Sequence, residues 1–143
     1  MVQGTRNKVQ GTRRPNHKTQ FNCLKTLVMS QELEIRFHNF SKRVRDFCLE
    51  LKWNIINSEY IKQVIRSSGS VAANYIEASD DLGKLDEKMK IKIARRESKE
   101  SIHWLDLVLT YENKELEKER MTLIDEAEQI KRILSAIINK LDQ

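Results

Sequence analysis

After Pro15 the chain runs to residue 143 without another proline, and only Gly69 and Gly83 interrupt it as glycines. A β-rich protein of this length needs many turns, and turns draw on Gly and Pro. A stretch so poor in both fits a few long helices. Hydrophobic residues make up 39% of the chain and charged residues 33%, which is polar for a globular domain but leaves enough apolar surface for one core. One domain is expected from 143 residues.

The apolar residues fall into stripes of helical period. From about Gln31 to Trp53 they are Leu33, Phe37, Phe40, Val44, Phe47 and Leu51, at alternating steps of four and three. Asn54, Asn57 and Ser58 offer a turn and a cap. A second helix is expected from about Ser58 to Leu82, with Ile61, Val64, Ile65, Ser68, Val71, Ala72, Tyr75 and Ile76 inward. Its middle is small: Ser67, Ser68, Gly69, Ser70, Ala72 and Ala73. A mid-helix glycine costs about 1 kcal/mol against alanine. The usual compensation is close approach of another backbone, inside the bundle or between subunits.

The third helix is expected from about Lys84 to Glu112, with Leu82, Leu85, Met89, Ile93, Trp104, Leu105 and Val108 as its buried stripe. Arg96, Glu97, Glu100 and Ser101 interrupt that stripe. The fourth, from about Leu116 to Leu141, carries a heptad seam of Leu123, Ala127, Ile130, Leu134, Ile137 and Leu141. Connections this short make neighbouring helices antiparallel. The fold class is therefore all-α, an antiparallel up-down-up-down four-helix bundle over residues 29–143.

The N-terminal 28 residues are different. They repeat VQGTR at 2–6 and 9–13, hold six basic side chains and no acidic one, and have no periodic apolar face. An unstructured basic tail is expected there. Helical periodicity begins just after Met29, which also makes Met29 a candidate for the true start. From residue 29 onward twenty basic side chains face twenty-one acidic ones, so the net charge of +5 comes from the tail. Cys23 and Cys48 lack CxxC spacing, no apolar run reaches membrane-span length, and no signal-peptide h-region follows the basic start. A cytoplasmic setting is the simplest reading.

Three stretches, RVRDFCLEL at 43–51, IRSSGSVAANYIEA at 65–78 and KIARRESKESIHWLDLVL at 92–109, resemble the four-helix-bundle proteins encoded in intervening sequences of 23S rRNA genes. The resemblance covers about residues 29–141. It implies a left-handed up-down bundle, assembly into a homopentameric ring or barrel, and no enzymatic activity; no cofactor is expected. A related branch, the accessory proteins of diversity-generating retroelements, uses a basic pentameric barrel to bind a reverse transcriptase and nucleic acid. The near-neutral bundle portion here departs from that branch.

Two polar constellations stand out. Arg66, Ser70, Asn74 and Glu77 share one face of the second helix at steps of four, four and three, and are expected to meet Arg96, Glu97, Glu100 and Ser101. A buried Arg66 paired with Glu97 or Glu100 would fix helix register. Lys84, Lys88, Lys92, Arg95 and Lys99 form a basic row on the third helix that would suit RNA phosphates. The alternative for that row is a solvated face.

Two patterns suggest chemistry only weakly. Glu100 and His103 have the ExxH spacing of di-iron bundles, without the second ExxH that such sites need. Arg96 and His103, six residues between them, have the spacing of helical metal-independent ribonucleases. No phosphate loop, HExxH, zinc spacing or nucleophile elbow is present. The sequence thus points to a non-enzymatic scaffold or adaptor that associates with itself and with RNA or a ribonucleoprotein. It predicts no metal, membrane or small-molecule ligand. The alternatives are a protein adaptor for a reverse transcriptase and, third, a ribonuclease.

Overall fold

The computed structural model describes the backbone of residues 17–80 and 83–143, and side chains for 31–80, 83 and 85–143. Four helices make up the fold: α1 His17–Glu50, α2 Ile55–Ser79, α3 Lys84–Leu107 and α4 Lys114–Leu141. The described residues contain no strand. Among the described residues, contacts join α1 to α2, α2 to α3, α3 to α4 and α4 back to α1. Phe37 meets Tyr75 while Ser41 bonds the Ser68 carbonyl, and Arg36 meets Glu126 while Arg43 meets Glu119.

The caps explain where the helices start. Asn54 caps α2 by accepting from the Asn57 amide at 2.9 Å, and Asn113 caps α4 by accepting from Glu115 and Leu116 at 3.1 Å. Gly83 precedes α3 at φ +92°, a conformation that favours glycine, and Asp86 and Glu87 complement the dipole of its first turn.

α3 stops at Leu107 rather than near Glu112. Here a tertiary contact wins over helix continuation. The Asn57 side chain, fully buried, accepts from the Leu109 amide at 2.9 Å and donates to the Leu109 carbonyl at 3.0 Å. It also donates to the Lys52 carbonyl. The chain then turns through left-handed Tyr111 and Glu112.

α1 begins earlier than the start expected near Gln31. Residues 17–28 belong to the helix, and residues 1–16 lie outside the described residues. Residues 17–30 hold no glycine or proline. Once the packed turns beyond Leu33 have nucleated a helix, each added residue is cheap to order.

The core follows the expected stripe of the first helix: Phe37, Phe40, Val44 and Phe47 of α1 are buried, as is Leu51 just past its end. α4 keeps its seam through Leu134, then buries Ile138 in place of Ile137. In α2 the inward row is Ile61, Val64, Ser68, Val71, Tyr75 and Ala78, while Ile65 and Ile76 are exposed. α3 departs furthest. It buries Ile91, Ala94, Ser98, Ser101, Leu105 and Val108, whereas Leu85 is 84% and Met89 57% exposed. Leu82 lies outside the described residues.

Candidate functional site

With its small residues inward, α3 turns a basic face outward. Lys92, Arg95, Arg96 and Lys99 line a trough of about 600 Å³ between α3 and α4, together with Met89, Ile93, Lys131 and Ser135. No carboxylate lines it. Lys131 is paired along α4 with Glu128 at 2.6 Å, while the four α3 cations form no ion pair with any described residue. Unpaired cations side by side on one helix repel one another, so the trough favours an anion.

The structure therefore redraws the basic row. Of that row, Lys92, Arg95 and Lys99 line the trough, joined by Arg96 and Lys131. Lys88 is diverted to an ion pair with Asp142. The bond from Lys88, helped by the charge of Lys92, holds the Asp142 carboxyl below its ordinary range. The side chain of Lys84 lies outside the described residues. Arg96, expected in the polar strip facing α2, points away from it because α3 is rotated relative to the apolar count.

The polar strip on α2 does meet α3. Arg66 donates to Glu100 Oε2 at 2.6 Å and to Glu97 Oε2 at 3.2 Å. The burial is the reverse of that expected: the Arg66 side chain is 51% exposed and Glu97 only 8%. The guanidinium pKa is pushed further up, mainly by its bond to Glu100 and then by the charge of Glu97. Further along, Glu77 pairs with Lys90, and the Asn74 amide turns back to the Ser70 carbonyl at 2.8 Å. Beneath this rim the Ser101 hydroxyl donates to Ser67 at 2.9 Å, and Ser98 donates to the Ala127 carbonyl of α4 at 2.8 Å. Small buried side chains allow α3 to approach both α2 and α4 closely, and every buried polar side-chain atom among the described residues has a partner.

The small middle of α2 splits in two. Ser67 and Ser68 are buried, but Gly69 faces outward, and a Cβ added there would meet nothing within 4 Å. Tight packing within the bundle does not explain this glycine.

A second trough, of about 410 Å³, lies between α1 and the start of α4. It has the opposite charge: Asp46, Glu50, Glu115 and Glu119 line it with Arg43, which is tied to Glu119 at 3.0 Å. The near-zero net charge of the bundle concealed this segregation, because a sum over the sequence discards position.

The chemistry-like patterns gain little. Glu100 is held by Arg66, while His103 is exposed with its ring edge-on to Trp104, centroids 4.8 Å apart. The described residues hold no group of three or more His, Cys, Asp or Glu that could share a metal ion. Cys48 is a free thiol whose burial pushes its pKa up to about 12, away from the reactive thiolate. The side chain of Cys23 lies outside the described residues. No described helix is long and apolar enough to cross a membrane.

Fold and surface together define a four-helix protein with two oppositely charged troughs. The chain belongs to the 23S rRNA-intervening sequence protein family, whose model matches residues 31–136. It is also similar to the 1.70 Å crystal structure of a protein of unknown function from the S23 ribosomal protein family of Bacteroides thetaiotaomicron. That likeness has a TM-score of 0.63 at 23% identity and covers 77% of this chain and 97% of the other. At that identity it supports the fold alone. No curated protein matches the sequence.

Proposed function

We propose that the protein is a non-enzymatic scaffold of the cytoplasm: an up-down-up-down bundle that assembles with copies of itself and holds RNA, free or in a ribonucleoprotein, along the α3/α4 trough. The observation carrying this reading is the set of four cations, Lys92, Arg95, Arg96 and Lys99, that form no ion pair with any described carboxylate. Such a row attracts phosphates, and its affinity must fall steeply with salt. The test is RNA binding by the purified full chain across a salt series, alongside the double variant Arg95→Glu, Lys99→Glu. Binding that weakens with salt and is lost in the variant is expected. No binding at low salt, or binding indifferent to salt, overturns the RNA reading.

Self-assembly is supported by the outward face of α2, where Ile65 and Ile76 are 45% and 40% exposed and flank Gly69. Light scattering after size exclusion is expected to give a multiple of the 16.9 kDa chain, five copies by the family resemblance. A monomer at all accessible concentrations overturns it. Bound RNA is expected to remain intact. Degradation that stops in His103→Ala would instead establish a ribonuclease.

The acidic α1/α4 trough favours a second reading, in which the scaffold is an adaptor for a protein with a basic segment, such as a reverse transcriptase. Copurification of such a protein after nuclease treatment, lost in Glu50→Lys, tests it.

A further inference from the structure

We infer that the α3/α4 trough takes an unpaired RNA strand rather than a duplex. This rests on the RNA reading above and names the form of RNA that the same site selects. The argument starts from what the trough offers besides charge. Its lining includes Met89, which is 57% exposed, and the half-buried Ile93, apolar side chains beside the basic residues. Phosphates gain nothing from a thioether or an isoleucine. Base faces do, and methionine adapts its shape to flat partners. In an A-form duplex the base faces are stacked out of reach, and proteins recognise the helix by shape and by contacts across its wide, shallow minor groove. An unpaired strand can lay phosphates on the rim and turn bases inward at once.

The dimensions agree. Lys92 to Lys99 spans about 10 Å of helix at 1.5 Å per residue. Lys131, paired with Glu128, stands on the opposite wall. The trough volume of about 600 Å³ is that of a drug-sized ligand, room for about two or three nucleotides. No aromatic side chain lines it, so stacking falls to the guanidinium planes of Arg95 and Arg96. That composition gives modest affinity and little dependence on base sequence.

The experiment is fluorescence anisotropy of the full chain with a labelled RNA of about 16 nucleotides, alone and annealed to its complement, from about 50 mM salt upward. The single strand is expected to bind at least about 10-fold more tightly. Its log K against log salt should slope at about −2, from roughly −0.7 for each of three phosphates, and Lys99→Ala should flatten it by about 0.7. Met89→Ser, at an exposed position that leaves the helical spectrum intact, should weaken the single strand and leave duplex binding unchanged. A DNA strand of the same sequence that binds equally keeps the site and shows that phosphates and base faces are what it reads. Tighter RNA binding keeps the site and adds the 2′-hydroxyl as a contact. Duplex binding as tight as single-strand binding, or single-strand binding untouched by Met89→Ser, overturns this inference and leaves the RNA reading standing. Failure of both RNAs to bind at low salt overturns both.

Discussion

α1 and α3 face the same core from opposite corners of the bundle, yet they are built from different materials. α1 fills its inward row with Phe37, Phe40, Val44 and Phe47, while α3 fills the middle of its row with Ala94, Ser98 and Ser101. The aromatic row excludes water by bulk and tolerates distance between helices. The small row works only by close approach, and its hydroxyls need partners, which Ser67 and the Ala127 carbonyl provide. One side of the bundle is held by volume and the other by fit. The surface follows from this, since large side chains on α3 that cannot enter a tight seam, Met89 and Leu85, remain outside beside the cations.

The sharpest way to break that comparison is to remove volume from α1. Phe40→Ala should cost about 3–5 kcal/mol, read as a shifted denaturant midpoint. A loss below 1 kcal/mol would mean that the aromatic row is not what holds that side.

On α3 the reverse operation should hurt. Ser98→Leu adds bulk to a fully buried seam and abolishes the bond to Ala127, at a cost of about 1–3 kcal/mol. Were the seam loose, the added leucine would stabilise it.

The thiol of Cys48 probes α1 by pH. Burial raises its folded pKa from 9.0 to about 12. Between those values the unfolded chain has lost a proton that the folded chain keeps, so stability falls as pH rises, by at most about 1.4 kcal/mol per unit above pH 9. Below pH 9 the thiol is protonated in both states and contributes no slope. In Cys48→Ala this part of the alkaline loss should disappear from a urea titration, and an unchanged limb would place the thiol in water.

Smaller effects are expected at the rim of α2 and α3. Arg66→Met leaves the buried Glu97 without its guanidinium partner. Because Arg66 itself is half exposed, the loss should be about 1 kcal/mol, and thermal melting unchanged from the parent would deny the pair a role in register. Smallest, and opposite in sign, is Gly69→Ala. With open space at the Cβ, it should stabilise the isolated chain by about 0.5–1 kcal/mol. If that face packs against another copy, the same change weakens assembly, so melting and light scattering move in opposite directions.

Much of the fold was legible because large apolar residues announce their phase. Leu33 to Leu51 in α1 and Leu123 to Leu134 in α4 read directly as inward rows. The link from Arg66 to Glu97 and Glu100 was legible too, from spacing and charge, though which partner was buried was not. The basic trough was half legible. Lys92, Arg95 and Lys99 stand in an obvious row, but Arg96 and Lys131 join it only once α3 is correctly rotated and α4 is set beside it. A signal for that rotation existed: Ile91, Ala94, Ser98, Ser101, Leu105 and Val108 keep alternating steps of three and four if alanine and serine are counted as core residues.

By itself, then, the sequence determined that this chain makes long helices, roughly where they lie, and which faces of α1 and α4 turn inward, because breakers are scarce and bulky apolar side chains have only one favourable place to go. Only the tertiary structure decided the rotation of α3, the end of that helix at the Asn57 clasp, and the division of a nearly neutral bundle into a basic and an acidic trough. The physical reason is shared. A serine, an asparagine or a lysine gains or loses by its neighbours rather than by its own hydropathy, and neighbours across helices exist only once the bundle has closed.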